Sequence, residues 1–155
     1  MLDIPSISAV VAAIGVLIGV TLAYLEVRAL VKARQTDVVM GLYSTFDSNE
    51  LLEAIDKVIH SEYKDYNDVV KRGWLDVHKV GIFFEGIGVL LLRKLVDVSL
   101  VDDLFSGVIK IMWEKMKTVI EDYRKQEDYP QAYEWFEYLY NEMQKRDQRP
   151  QQTQQ

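Results

Sequence analysis

"VGIFFEGIGVLLLRK", residues 80–94, decides the fold. From Val80 to Leu92 the only charge is Glu85, with Phe83 and Phe84 before it and Gly86 and Gly88 after it. Around this run, Val70, Trp74, Val77, Gly81, Phe84, Gly88 and Leu91 recur at spacings of four and three. That spacing predicts a helix from about Asn67 to Leu92 that packs along one stripe. In its first half, Lys71, Arg72, Asp76 and Lys79 hold the opposite side. In its second half, Ile82, Phe83, Val89 and Leu90 replace them, and a helix apolar on all sides is buried on all sides. The second half is therefore expected at the centre of the body. Thirteen residues are too few for a second membrane span, because the hydrocarbon core is about 30 Å thick and a helix rises about 1.5 Å per residue.

Glu85 falls about 100° from Phe84, at the edge of the stripe. Its neighbours one turn away, Gly81, Ile82, Gly88 and Val89, offer it no partner. An unpaired buried carboxylate costs several kcal/mol, so it must meet a donor from another helix or take up a proton. Arg124, Lys110, Trp113 and the tyrosines near the end of the chain are the candidate donors. The reading is structural: Glu85, Trp113 and Arg124 form a buried polar link between helices. Glu85→Ala is expected to lower stability by roughly 1 to 3 kcal/mol.

Toward the amino terminus, Ile4 to Leu25 contains no charge. As a helix this segment would extend roughly 33 Å, enough to cross a bilayer. Ten of residues 7–25 are Val, Ile or Leu, contributing roughly −3 to −6 kcal/mol toward insertion. A cleaved signal peptide has a basic start and a shorter apolar core, whereas this segment starts with Asp3 and runs straight into a helical pattern. Residues 1–34 are thus expected to be a transmembrane anchor with a basic juxtamembrane stretch, Arg28, Lys32 and Arg34. Positive residues stay on the cytoplasmic side, so the expected topology is a single-pass cell-membrane protein, amino terminus outside and body in the cytoplasm. Gly15, Gly19 and Ala23 form a small-residue row on which a second helix can pack closely.

Toward the carboxyl terminus, the first helix is expected to continue to about Phe46. A second starts with Asp47 or Ser48 as cap and carries Leu51, Leu52, Ile55, Val58 and Ile59 as one apolar face. After the central helix, Asp97 or Ser99 caps the next, which carries a stripe of Val101, Leu104, Val108, Met112, Met116, Val119 and Tyr123. Pro130 is expected to open the last helix, with Ala132, Phe136, Leu139 and Met143 as its inner row. That helix has more aromatics than one face can bury, so Trp135, Tyr138 and Tyr140 are candidate interface residues. The expected architecture is all-α: a transmembrane helix continuing into a bundle of about four further helices over residues 35–145, followed by a disordered tail, 146–155.

The chemistry is sparse. The chain has 155 residues, a net charge of −6, 49% apolar residues, two histidines and no cysteine. The acidic balance disfavours nucleic acid, and the lack of cysteine removes disulfide, thiolate and cysteine–metal chemistry. Asp56 and His60 lie one turn apart but supply only two ligands, short of a metal site. There is no nucleophile elbow, phosphate loop or dinucleotide fingerprint. No catalytic, cofactor-binding or metal-binding residue is assigned.

Three blocks in order, "FFEGIGVLLLRKLVDVSLVDDLFSG", "WEKMKTVIEDYR" and "YEWFEYLYNE", resemble an uncharacterised family of bacterial and archaeal proteins, domain of unknown function 4760, over roughly residues 8–145. The resemblance rests on Phe84-Glu85 before the hydrophobic run, Trp113-Glu114 with Arg124, and Phe136 to Leu139. It implies a single-span helical membrane protein and brings no catalytic residues. The expected function is a non-enzymatic protein-interaction module, with the bilayer as one partner through residues 4–25 and a second copy or another membrane protein as the other. The alternatives are an accessory subunit of a membrane complex, or a small-ligand sensor or enzyme using a pocket near Glu85.

Overall fold

The computed structural model describes residues 4–148, with side chains from Ser8 onward. Among these residues the chain forms six helices and no strand: α1 (Ile4–Phe46), α2 (Asn49–His60), α3 (Tyr66–Arg72), α4 (Trp74–Leu92), α5 (Val98–Gln126) and α6 (Glu134–Asp147). They fall into two compact units, Met1–Asp37 and Val38–Gln155.

The first unit is the α1 helix up to Asp37. Its apolar window is unburied, and α1 is long and apolar enough to cross a membrane. Val10, Leu17, Val20 and Leu25 are all exposed. Inside a soluble protein such a helix would bury at least one face, because the hydrophobic effect removes apolar area from water.

The second unit is a helical bundle that includes the last turns of α1. Val39 is buried there, and Phe46 packs its ring against Phe83 and Phe105 at 6.0 and 5.4 Å. The next helices begin where side chains can satisfy free N–H groups. Ser48 caps α2 by accepting from the Leu51 N–H, Asp65 caps α3 through the Asp68 N–H, and Asp97 caps α5 through the Ser99 N–H. The loop before α3 closes on Asp68, which accepts from the Lys64 N–H and pairs with Arg72, while Arg72 also donates to the Glu62 carbonyl. The Arg72 hydrogen bond, then the Lys64 N–H, hold the Asp68 carboxyl down at about 2.

Helices α5 and α6 run antiparallel. Arg124, late in α5, pairs with Glu137, early in α6, at 2.8 Å, and Arg146, late in α6, pairs with Asp102, early in α5, at 2.8 Å. Between them and α4 lies the densest core: Phe84, Ile87, Ile109, Met112, Phe136 and Leu139 are fully buried.

Several expectations change. The helix expected over Asn67–Leu92 is two helices, so the body has five helices after α1 rather than about four. The break is at Gly73, whose N–H still reaches the Val69 carbonyl. A Cβ there would lie 2.2 Å from the Tyr63 hydroxyl, so the ring of Tyr63 occupies the space a side chain would need. Val70, assigned to the stripe, is 51% exposed. The second half of α4 is not covered on every side, since Ile82 is 54% exposed and Gly86 lies open beside it. The inner face of α5 keeps Val101, Met112, Met116 and Val119 of the expected stripe but widens to one side: Phe105, Ile109, Trp113 and Ile120 are buried too, while Leu104 is 40% exposed. Pro130 does not open α6, because residues 130–133 make a turn first. Arg146 and Asp147, expected in the tail, belong to α6, and residues 149–155 lie outside the described residues.

The open strip on α4 gives a prediction. A Cβ on Gly86 would meet nothing within 4 Å. Gly86→Ala is therefore expected to raise stability by about 0.4 to 1 kcal/mol, chiefly by restricting the unfolded chain. Chemical denaturation of the full chain in detergent checks this, and a loss of stability would mean that the strip is covered.

Candidate functional site

The polar centre of the body is the start of α6. A helix leaves its first N–H groups without intrahelical partners. Tyr133 occupies the cap position of α6 with φ 56° and ψ 31°, a left-handed conformation uncommon for a bulky residue, and supplies no side-chain cap. Three of its four N–H groups have a clear acceptor. Glu134 donates to the Gln131 carbonyl at 3.1 Å and Glu137 to the Tyr133 carbonyl at 3.1 Å. The Phe136 N–H donates to Glu85 Oε2 at 2.7 Å, and the Trp135 N–H lies beside the same carboxylate and favours its charged form. Glu85 thus does from another helix what the cap residue Tyr133 does not, accepting from a free N–H group at the start of α6. A carboxylate is well placed there, at the positive end of the helix dipole.

Four residues of α4, at spacings of three, four and three, receive this helix start: His78, Gly81, Glu85 and Gly88. They share a face. Gly88 lets the chain approach so closely that a Cβ would lie 2.0 Å from the Trp135 carbonyl oxygen. At Gly81 a Cβ would lie 2.5 Å from the Tyr133 ring. The Tyr133 hydroxyl and His78 Nδ1 are hydrogen-bonded at 2.7 Å. Tyr133, in its unusual backbone conformation, is thus held by ring packing below and a hydrogen bond at its tip.

α5 closes the other side. Arg124 Nε donates to the Ala132 carbonyl at 2.9 Å and the guanidinium pairs with Glu137, fixing the turn that leads into α6. Phe84 stacks on Phe136 at 5.0 Å, and Trp113 meets Phe136 edge-on at 5.1 Å. On the His78 side, Trp74 stacks on the imidazole at 5.1 Å and contacts Tyr66 and Tyr123. The Tyr66 hydroxyl donates to Glu127 at 3.1 Å.

Burial pushes the Glu85 carboxyl above its ordinary 4.5, while the Phe136 and Trp135 N–H groups hold it back. Nearby Glu134 raises it further and Arg124 lowers it. Burial pushes the Tyr133 phenol well above its ordinary value, and the charges of Tyr123, Glu85 and Tyr66 add to this.

Glu85 does link helices, but its donor is the backbone N–H of Phe136 rather than Arg124, Lys110, Trp113 or a tyrosine hydroxyl. Lys110 pairs with Asp147 at 2.7 Å. Glu85 and Arg124 are half-buried rather than buried, because both sit at the rim of the α6 start; Trp113 is buried. Tyr140 is tied inside the body: it stacks on Trp113 at 5.8 Å, donates to Glu114 and accepts from Gln144. Trp135 and Tyr138 are half-buried and meet edge-on at 6.4 Å. Gly15, Gly19 and Ala23 are exposed, with nothing within 4 Å of a Cβ at either glycine, and Arg28, Lys32 and Arg34 are exposed. Asp56 and His60 pair on the surface at 3.1 Å. Among the described residues no group of three metal-ligating side chains occurs.

The sequence reading missed Tyr133 and His78. The spacing of His78, Gly81, Glu85 and Gly88 was visible, but what it receives is main chain, which no residue type announces.

A family model described as domain of unknown function (DUF4760) matches residues 9–143. Searches of curated proteins and of solved structures each found no match.

Proposed function

The chain belongs to the DUF4760 family, and from that premise we propose that it is a single-pass membrane-anchored interaction module, non-enzymatic, with its body on the cytoplasmic face. The observation that carries this reading is the wholly unburied apolar window of α1. Arg28, Lys32 and Arg34 after the apolar run support an amino terminus outside. Glu85, the one acid in the second half of α4, is engaged by the Phe136 main-chain N–H, which favours a structural role over a catalytic or ligand-sensing one. Exposed Leu75 and Ile82 on α4, with half-buried Trp135 and Tyr138 on α6, are apolar surface for a protein partner.

The cysteine-free sequence allows a direct test. Leu2→Cys and Ser99→Cys are labelled separately with a membrane-impermeant maleimide on intact cells, alongside alkaline extraction and crosslinking in native membranes. The reading expects the chain to resist extraction, Leu2→Cys to be labelled, Ser99→Cys to be protected, and a crosslinked partner or second copy to be recovered. A chain released by alkali, or labelled at position 99 only, would overturn the anchor or its orientation.

A second reading, an accessory subunit held through its span, is favoured by the open surface at Gly15 and Gly19. Replacing both with Ile is expected to abolish association in the membrane under that reading and to leave it unchanged under the first.

A further inference from the structure

Charge is segregated around the stretch of α1 that follows the apolar run. At about 100° per residue, Tyr24, Arg28 and Lys32 fall within roughly 80° of arc. Glu26, Ala29, Ala33 and Asp37 fall within a similar arc centred roughly 140° away. A shallow groove lined by Glu26, Ala29, Leu30 and Ala33 marks that second face. On the first face the Arg28 guanidinium sits over the Tyr24 ring, 5.6 Å from its centroid, an arrangement that attracts the cation to the ring. Neither Arg28 nor Lys32 has an ion-pair partner among the described residues, and both are exposed. Two unpaired cations and a tyrosine thus share one side of the helix, and the nearby carboxylates lie on the other.

We propose that Tyr24, Arg28 and Lys32 form a headgroup site for an anionic phospholipid. The proposal rests on α1 spanning a membrane, as read above. The apolar run ends at Leu25, so Arg28 and Lys32 follow roughly 4.5 and 10 Å further along the axis. Side chains of a helix lean back toward its amino terminus, which brings both cations toward the bilayer from either compartment. The headgroup layer is roughly 5 to 7 Å thick on each side. Arg28 lies within that layer, and Lys32 reaches back into it along its flexible stem. Tyr24, at the edge of the apolar run, takes the interfacial position that tyrosine favours. The guanidinium fork binds the lipid phosphate, and the ammonium of Lys32 adds a second charge. Glu26 and Asp37, turned to the far side, do not compete.

The test reconstitutes the full chain in vesicles of phosphatidylcholine mixed with phosphatidylglycerol, checks insertion by alkaline extraction, and measures which lipid co-purifies with the protein in mild detergent. Wild type is expected to enrich phosphatidylglycerol. Each cation near an anionic surface contributes about 1 kcal/mol, or about fivefold. Arg28→Gln with Lys32→Gln is therefore expected to reduce the enrichment by more than tenfold while insertion is unchanged. Glu26→Gln, on the opposite face, is expected to leave both unchanged. An inserted double variant that keeps the enrichment overturns the headgroup site alone. An equal loss for Glu26→Gln also overturns it, because the effect would then be overall charge rather than one face. Displacement of the lipid by inorganic phosphate at matched concentration would show a phosphate site with no lipid preference, and would overturn the assignment. A wild-type chain that fails to insert overturns the membrane reading together with the proposal.

Discussion

Gly88→Ala is expected to destabilise the body by about 3 kcal/mol or more. A Cβ at this position would lie 2.0 Å from the Trp135 carbonyl oxygen and 2.5 Å from its carbonyl carbon. These are main-chain atoms, so no side-chain rotation relieves the clash, and α6 must move away from α4. Overpacking alone costs about 1 to 3 kcal/mol. The displacement would also stretch the Phe136 N–H bond to Glu85, adding the cost of a poorly satisfied buried donor, about 1 to 3 kcal/mol. The contrast with Gly86→Ala, two residues away and expected to stabilise, makes the prediction specific. Chemical denaturation of both variants in one detergent measures it. A Gly88→Ala chain as stable as wild type would mean that α6 does not dock where the structure places it. Gly81→Ala should cost less, because the atoms it meets belong to the Tyr133 ring, which can shift.

Glu85→Ala is expected to cost about 1 to 3 kcal/mol, since it strands the Phe136 main-chain N–H. Glu85→Gln should lose less than half as much, because its amide oxygen can accept from the Phe136 N–H. The pH dependence separates the two further. Burial holds the Glu85 carboxyl above its ordinary 4.5, so the folded state binds the proton more tightly than the unfolded state. The corresponding stability is fully present below about 4.5 and is lost as pH rises through the folded value. Glu85→Gln has no such group, so its stability relative to wild type is expected to improve as pH rises from 4.5 to 7. Denaturation midpoints at the two pH values check the sign. A Glu85→Ala chain that is as stable as wild type but has lost a specific activity would contradict the structural role.

The periodic parts of the fold were legible in the sequence. The apolar run of α1, the starts of α2 and α5, each narrowed to two cap candidates, and the inner row of Ala132, Phe136, Leu139 and Met143 are local patterns, and local patterns are where helix geometry writes itself into residue order. The breaks were not. Gly73 sits in a pattern whose spacing continues through it, but its backbone leaves the helical conformation, at φ −165° and ψ 24°, with the Tyr63 ring in the space a side chain would need. Pro130 looked like a helix start, but the turn after it is set by Arg124 holding the Ala132 carbonyl and by the left-handed Tyr133. The exposed strip at Ile82 was missed because composition shows that a helix is apolar all round, not how many neighbours arrive to cover it. At the site, the isolation of Glu85 correctly implied a partner on another helix. Its identity was hidden because attention to polar side chains overlooks the free N–H groups that every helix start carries. Gly88 was the available signal, since a glycine inside a helix can mark where another backbone comes close.

The central claim is that Glu85 holds the start of α6 through its main chain. Amide hydrogen exchange at Trp135 and Phe136, compared between wild type and Glu85→Ala in the full chain, tests it most directly. The two amides should be protected in wild type and exchange about tenfold faster or more in the variant, as expected for loss of at least 1.4 kcal/mol of local protection. Amides of α2, which do not contact Glu85, should change only as far as global stability does. Equal protection at Trp135 and Phe136 in both proteins would contradict the account.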